Sequence, residues 1–161
     1  MNAKIIGTNE LAKRSKELRK SGKKLVVTNG CFDLLHVGHV RYLQAARQLG
    51  DALAVAVNGD RSVTELKGAG RPLNNEHDRA EVIAAMACVD FVAIFQEKRA
   101  SSFLKEVAPA IYAKGGDYKP ETLDAEEKAV LQCIGAEIRI IPFEAGYSTT
   151  KLIERLAGER A

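Results

Sequence analysis

The chain has 161 residues, of which 46% are hydrophobic, so its length and composition predict one globular domain with a substantial core. The net charge is only +3 and basic residues are interleaved with acidic ones, which argues against a nucleic-acid-binding protein. Three cysteines lie far apart, and neither a signal peptide nor an apolar run of membrane-spanning length is present. We therefore expect a cytoplasmic protein that is not inserted in a membrane.

The first predicted element is a helix at 10–20, within an N-terminal segment, 1–22, that precedes the core of the domain at 23–157. From residue 25 onward, short apolar runs typical of strands alternate with runs of helical periodicity. The predicted strands lie at 25–28, 52–57, 91–95, 111–113 and 137–141. The predicted helices lie at 40–49, 62–66, 76–88, 101–107, 125–134 and 149–156. This alternation predicts a single Rossmann-like, doubly wound α/β domain with a five-stranded parallel sheet.

The segment TNGCFDLLHVGH, at 28–39, lies where the first predicted strand gives way to a helix that begins near 37–39. Two histidines, His36 and His39, flank Gly38 at this helix start. The N-terminus of a helix presents backbone N–H groups without intrahelical partners and the positive end of the helix dipole. We therefore expect an anion, such as the phosphates of a nucleotide, to bind at this point.

Polar residues and glycines also follow the other predicted strands, at the edge where doubly wound sheets bind their ligands. Asn58, Gly59 and Asp60 follow the second strand, KGGDY at 114–118 follows the fourth, and GYSTTK at 146–151 follows the fifth. No GxGxxG follows the first strand and no GxxxxGK[ST] is present, which argues against a dinucleotide fingerprint and a P-loop. The sequence therefore predicts a phosphate site of another kind.

With these motifs the chain resembles the HxGH nucleotidyltransferases, which transfer a nucleotidyl group from a nucleoside triphosphate to a phosphate-bearing acceptor. The resemblance covers nearly the whole chain, and its motifs are NGCFD at 29–33, HVGH at 36–39, Asn58, Asp60, Lys67 and STTK at 148–151. KGAGRP at 67–72, KGGDY at 114–118 and GYSTT at 146–150 are most similar to the heptose 1-phosphate adenylyltransferases. Among these, the chain is similar to the form that is separate from a kinase.

The resemblance implies transfer of AMP from ATP to D-glycero-D-manno-heptose 1-phosphate, with Mg²⁺, giving pyrophosphate and ADP-heptose for the lipopolysaccharide inner core. Because an acceptor phosphate is already ionised at neutral pH, the site needs hydrogen-bond donors and alignment rather than a strong base. No resident metal site is expected. Relatives also favour a homodimer, and the apolar helix faces are compatible with one.

The same resemblance assigns roles to individual residues. The implied catalytic residues are His36, His39 and Lys67, the last within a glycine-punctuated loop that could close over a nucleotide. The residues expected to bind the nucleotide and its phosphates are Asn29, Gly30, Cys31, Phe32, Gly38, Lys114, Gly115, Ser148, Thr149 and Thr150. Those expected to bind the acceptor are Asp33, Asn58, Asp60, Arg71 and Asp117.

Several alternatives stay open. The chain could be a cytidylyltransferase acting on glycerol 3-phosphate or a related alcohol phosphate, although those relatives carry an arginine where this chain has Phe143. It could also be a module that binds a nucleotide without turnover, which the intact histidines and Lys67 argue against. A zinc site of Cys31, His36 and His39 would lack a fourth ligand. Apolar neighbours predict that Cys88 and Cys133 are buried core thiols.

Overall fold

A computed structural model describes residues 2–116, 123–142 and 158 of the chain. Five strands within these residues form one sheet: β1 (Leu25–Gly30), β2 (Ala52–Asn58), β3 (Phe91–Phe95), β4 (Ile111–Gly115) and β5 (Glu137–Ile141). The helices are α1 (Thr8–Lys20), α2 (Val37–Arg47), α3 (Asp60–Lys67), α4 (Glu76–Ala84), α5 (Ser101–Val107) and α6 (Ala125–Cys133). The strand order is β3-β2-β1-β4-β5, and every neighbouring pair is parallel. The predicted doubly wound α/β fold is confirmed.

Helices cover both faces of the sheet, which explains why its central strands read as continuous apolar runs. On one face α1, α5 and α6 contribute Leu11, Phe103 and Leu131 to a core that includes Val27 and Tyr112 of the sheet. On the other face, α2 and α4 pack against alternate strand residues, and their core comprises among others Leu43, Ile83, Val26, Val55 and Val57. Successive strand residues therefore enter opposite layers, as the pleat requires.

The strand order reverses between β1 and β4, and these two strands diverge toward their carboxyl ends. They pair at only two positions, Val26 with Ile111 and Val27 with Tyr112. Beyond these pairs, the Tyr42 hydroxyl of α2 lies between the strands and donates to the Ala113 carbonyl at 3.1 Å. Burial raises the pKa of Tyr42 to about 12, so its hydroxyl keeps its proton at neutral pH. A crevice between β1 and β4 is the expected ligand position in such sheets.

The N-terminal segment, whose role the sequence does not indicate, is packed into the domain. Ile5 forms a parallel bridge with Val92 at the outer edge of β3, and Leu11 of α1 is fully buried. The Ser15 hydroxyl donates to the Ala108 carbonyl, where α5 ends. The segment therefore shields a sheet edge that would otherwise expose unpaired backbone groups.

Two local predictions differ from the structure. The helix predicted at 76–88 ends at Ala84, and a turn follows, in which the N–H of Met86 bonds to the carbonyl of Ile83, three residues back rather than four. Cys133 is exposed at the end of α6 and Cys88 is partly buried, so the prediction of two buried core thiols is wrong for Cys133. Apolar neighbours in sequence do not decide which side of a helix faces the sheet.

Candidate active site

A cleft of about 770 Å³ opens at the carboxyl ends of β1, β2 and β4. The predicted site residues that line it are Asn29, Gly30, Cys31, Phe32, Asp33, His39, Asn58, Lys67, Arg71, Lys114 and Gly115. His36, Gly38 and Asp60 belong to elements beside the cleft without lining it. Asp117, Ser148, Thr149 and Thr150, together with Phe143 and the helix predicted at 149–156, lie outside the described residues.

The two histidines are joined to each other at the start of α2, where the sequence predicts the helix to begin. His36 is the residue before the first helical turn, and its backbone N–H donates to His39 Nδ1 at 3.3 Å. The backbone N–H of His39 donates back to the His36 carbonyl, and the two rings lie 4.0 Å apart between centroids. Because Nδ1 of His39 accepts a hydrogen bond, this bond assigns the proton of the neutral ring to Nε2.

Both histidines are uncharged at neutral pH in the protein without ligand. Burial, reinforced by the neighbouring His36, lowers the pKa of His39 to about 4. Burial also lowers the pKa of His36. The Nε2–H group of His39 is therefore a neutral donor at the lining of the cleft, next to the positive end of a helix dipole.

Phe32 and Gly30 hold His39 in position. The ring of Phe32, which is buried, meets that of His39 edge-on with 5.7 Å between centroids. A Cβ atom on Gly30 would approach the Phe32 ring to 2.9 Å, so this position requires glycine for the ring to pack there. Phe32 itself has a φ of 47°, in the left-handed region that non-glycine residues rarely adopt. Packing of Gly30 and Phe32, both in the NGCFD motif, thus positions the ring of His39.

Lys67 stands at the end of α3, at the start of the loop that leads to α4. It is exposed, and Gly68 and Gly70 after it have φ values of 95° and 83°. The loop is fastened further along, where Arg71 Nη1 donates to Asp33 Oδ2 at 2.7 Å. This bond holds Arg71 in place. The exposed side chain of Lys67 lies beside the same loop, at the mouth of the cleft.

Asp33 binds three groups of that loop. Besides Arg71, its carboxylate accepts hydrogen bonds from the backbone N–H groups of Leu73 and Asn74, at 2.7 and 3.1 Å. Burial alone would raise the pKa of Asp33, but the two backbone groups and the guanidinium outweigh it and lower the pKa. Asp33 and Arg71, which were both predicted to bind the acceptor, therefore bind each other in the protein without ligand.

Arg79 of α4 is a residue that the sequence analysis missed. Its side chain is fully buried and donates to the carbonyls of Cys31, Asn58 and Asn74 and to the Asp60 carboxylate. The bonds to Asn58, Asp60 and Asn74 measure 2.7, 2.8 and 2.9 Å. One guanidinium thus ties the ends of β1 and β2 to the start of α3 and to the Lys67 loop. A charged residue on an amphipathic helix gives no sequence signal of such burial.

Asn58 and Asp60 are engaged by their neighbours as well. The Asn58 amide donates to the Ser62 hydroxyl at 2.9 Å. The backbone N–H of Asp60 donates to Glu76 at 2.8 Å. Both residues thus fix the connection between β2 and α3.

The crevice between β1 and β4 carries a second polar group, formed by Asn29, Tyr112 and Lys114. Asn29 Oδ1 accepts from the Tyr112 hydroxyl at 2.6 Å and from Lys114 Nζ at 3.3 Å. The Asn29 amino group, which makes no hydrogen bond to the described residues, is left to donate into the cleft. Burial lowers the pKa of Lys114, and the carboxylate of Glu127 opposes that shift.

The far side of the cleft contains further residues that the sequence analysis did not single out: Lys98 and Arg99 after β3, and Asp124 and Glu127 at the start of α6. Arg99 and Asp124 form an ion pair at 3.1 Å. With these included, five Lys and Arg residues and three Asp and Glu residues line the cleft. The excess of positive charge favours an anionic ligand.

Cys31 and the histidines do not form a metal site. Among the residues that the structure describes, no group of three His, Cys, Asp or Glu side chains is placed to hold a metal ion. Burial raises the pKa of the Cys31 thiol, an effect that Lys67 and Arg79 only partly oppose. The thiol is therefore protonated at neutral pH and a weak nucleophile. None of the described helices combines the length and apolar character needed to cross a bilayer.

Comparison with known proteins agrees with this geometry. The sequence matches the family described as cytidylyltransferase-like over residues 27–155. It is 48% identical to the bifunctional protein HldE of Geotalea uraniireducens over 155 residues, which are 96% of this chain and 31% of that protein. It is 49% identical to HldE of a Nitratiruptor species over 142 residues, 88% of this chain and 29% of the relative. The chain thus spans about a third of the length of these relatives.

A solved structure is also similar. The crystal structure of the lipopolysaccharide core biosynthesis protein from Thermoplasma volcanium superimposes with a TM-score of 0.62 and 30% sequence identity. The match covers 76% of this chain and 98% of the other. The similarity therefore extends over nearly all of that protein.

Proposed function

The chain belongs to the cytidylyltransferase-like family, as its HxGH motif led us to expect, and from this premise we propose that it is an adenylyltransferase. Its substrates are ATP and D-glycero-D-manno-heptose 1-phosphate, and its products are ADP-heptose and pyrophosphate. The similarity to HldE over nearly the whole chain and to a lipopolysaccharide core biosynthesis protein supports this choice of pathway. The reaction belongs in the cytoplasm, where ATP and sugar phosphates are found.

The observation that carries the proposal is the neutral Nε2–H donor of His39 at the N-terminus of α2, in a cleft with excess positive charge. In the reaction, an oxygen of the acceptor phosphate forms a bond to the α-phosphorus of ATP. The bond from that phosphorus to the bridging oxygen breaks, and pyrophosphate leaves with the electron pair. Negative charge on the transferring phosphate needs donors already in place, which His39 and the helix N-terminus provide.

Lys67 supplies a second donor from the mouth of the cleft. Its position at the end of α3, before two glycines with positive φ, lets it approach the phosphates as the substrate binds. Because the chemistry makes no covalent bond to the protein, these residues act by aligning the two phosphates and stabilising charge.

In the proposed reaction, Mg²⁺ binds together with ATP. The carboxylates of Asp33 and Asp60 are each bound to an arginine. This donor set fits an ion that is held chiefly by phosphate oxygens and arrives with the nucleotide. When bound, Mg²⁺ neutralises the charge of the departing pyrophosphate.

One alternative is favoured by the family's description, which points to CTP as the nucleotide. The discriminating experiment measures pyrophosphate release with Mg²⁺ in four reactions that combine ATP or CTP with heptose 1-phosphate or glycerol 3-phosphate. We expect release only with ATP and heptose 1-phosphate. Release with CTP and glycerol 3-phosphate would establish the cytidylyltransferase alternative. Nucleotide binding without release in any combination would favour the non-catalytic module.

A further inference from the structure

Glu127 is a buried carboxylate that lines the cleft and has an unused oxygen. Its relative exposure is 6%, and it lies in the first turn of α6. Its Oε1 accepts a hydrogen bond from the backbone N–H of Ala100 at 3.0 Å, which fixes the carboxylate against the start of α5. No hydrogen bond or ion pair to the other oxygen, Oε2, is found among the described residues. Glu127 lines the cleft, so this oxygen is available to accept a hydrogen bond from a ligand there.

The surroundings of Glu127 decide which donor fits. The carboxylate of Glu127 acts electrostatically on Lys114, but the two side chains do not form an ion pair within 4.0 Å, and Lys114 Nζ donates to Asn29 and Tyr112. Arg99 is paired with Asp124. Among the described residues, neither cation is bound to Oε2 of Glu127, so this oxygen is available to a ligand in the cleft.

The charge of Glu127 excludes a phosphate oxygen as that ligand atom, because two anionic oxygens would repel one another. A hydroxyl group is the chemistry that suits a single carboxylate oxygen fixed by a backbone bond, since it donates one hydrogen bond and carries no charge. Both substrates of the proposed reaction contain sugar hydroxyls.

We propose that Glu127 binds a sugar hydroxyl of a substrate in the cleft and thereby contributes to substrate choice. The proposal rests on the proposed function for the identity of the two sugars, which are the ribose of ATP and the heptose of the acceptor. A hydroxyl of either sugar would donate the same hydrogen bond to Glu127, and the experiment distinguishes the ribose from the heptose. A site that hydrogen-bonds a hydroxyl rejects the analogue that lacks it, because the buried acceptor is left unpaired.

The test compares the wild-type protein with Glu127→Gln, which keeps an oxygen to accept from Ala100 and so preserves the contact with α5. Glu126→Gln is the matched control, because Glu126 occupies the same helical turn, carries the same charge, is exposed and does not line the cleft. Thermal unfolding of all three proteins checks that each is folded. Calorimetry then measures the dissociation constants of ATP, 2′-deoxy-ATP and 3′-deoxy-ATP, and of heptose 1-phosphate and its monodeoxy analogues.

In the wild-type protein and in Glu126→Gln, one deoxy analogue should bind about tenfold more weakly than its parent. In Glu127→Gln the parent should weaken by a similar factor and that analogue should weaken no further. A ribose analogue showing this pattern assigns Glu127 to ATP, and a heptose analogue assigns it to the acceptor. If Glu127→Gln weakens all ligands equally or none, Glu127 has only its structural bond to Ala100 and the proposal is overturned.

Binding is measured without turnover, so the two proposals fail in different ways. Absence of pyrophosphate release from the wild-type protein would refute the adenylyltransferase function. The ATP and heptose phosphate titrations would still show whether Glu127 distinguishes a hydroxyl from its absence.

Discussion

The two walls of the cleft differ in how far their polar groups are already bonded within the protein. The histidine wall consists of His39, Asp33 and Arg71, which line the cleft, and of His36 and Arg79 behind them, and its bonds connect four separate segments. The lysine wall consists of Asn29, Lys114 and Glu127, which line the cleft, and of Tyr112 behind them, and it keeps the Asn29 amino group and Glu127 Oε2 without partners among the described residues. The polar groups of the histidine wall are therefore bonded to other protein groups before any substrate binds, whereas the lysine wall has two polar atoms available to a substrate.

This difference matches two tasks. Charge stabilisation in a transition state is strongest when donors need no rearrangement, which suits the histidine wall. Recognition of a particular substrate depends on polar atoms that only that substrate satisfies, which suits the lysine wall. The following predictions test this division.

Removing Arg79 should have the largest effect, because it would dismantle the histidine wall. In Arg79→Ala, three carbonyls and the Asp60 carboxylate lose a donor, and unsatisfied buried groups cost about 1–3 kcal/mol each. We expect a loss of at least 3 kcal/mol in the free energy of unfolding, measured by urea denaturation. Arg61→Ala, which removes an exposed arginine of α3, is the control and should change stability little. Equal stability of the two variants would contradict the role of Arg79 as the connecting residue.

Removing the imidazole of His39 should affect chemistry more than stability. We expect His39→Ala to lower the turnover number about a hundredfold or more, because the Nε2–H donor acts mainly in the transition state. His36→Ala should lower it to a similar extent. Pyrophosphate release gives the turnover number, and circular dichroism verifies the fold. Near-normal turnover in both variants would refute the catalytic role of this wall.

The next prediction concerns Lys67, which is exposed at the mouth of the cleft in the protein without substrate. Lys67→Ala should raise the KM for ATP and lower the turnover number together, each by about tenfold, if the loop closes over the nucleotide. Lys105→Ala provides the comparison, since Lys105 is also exposed near a helix end but does not line the cleft. Unchanged kinetics in Lys67→Ala would make Lys67 an ordinary surface residue.

The last prediction concerns the dependence of stability on pH. Burial lowers the pKa of His39 to about 4 from 6.5, so the unfolded chain binds a proton in this range that the folded protein does not. The stability associated with the neutral His39 is therefore complete above pH 6.5 and is lost as the pH falls toward 4. We expect the Tm to decline between pH 6.5 and 4, and less steeply in His39→Gln. Identical slopes would show that the ring is not buried as the structure indicates, and an NMR titration of His39 measures its pKa directly.

The sequence predicts much of the histidine wall because its parts are neighbours in the chain. His36 and His39 lie within one helical turn, and the helix start is marked by the change from an apolar strand to helical periodicity. The lysine wall was predicted only in part. Asn29 and Lys114 follow strands, but Glu127 lies in a helix whose sequence gives no sign that a carboxylate there is buried.

By itself, the sequence determined the order and type of the elements and the parallel sheet, and it predicted a phosphate site at the start of α2, because periodicity, helix starts and strand ends are local properties. Only the tertiary structure decided that Arg79 joins β1, β2 and the Lys67 loop, that Asp33 binds Arg71, and that Glu127 meets Ala100. Except for the bond from Arg79 to Asn74, these contacts link residues that are 19 to 48 positions apart in the chain. The physical reason is that such pairs form only when packing of the whole sheet and its helices brings their segments together, and no local pattern encodes which groups will then meet.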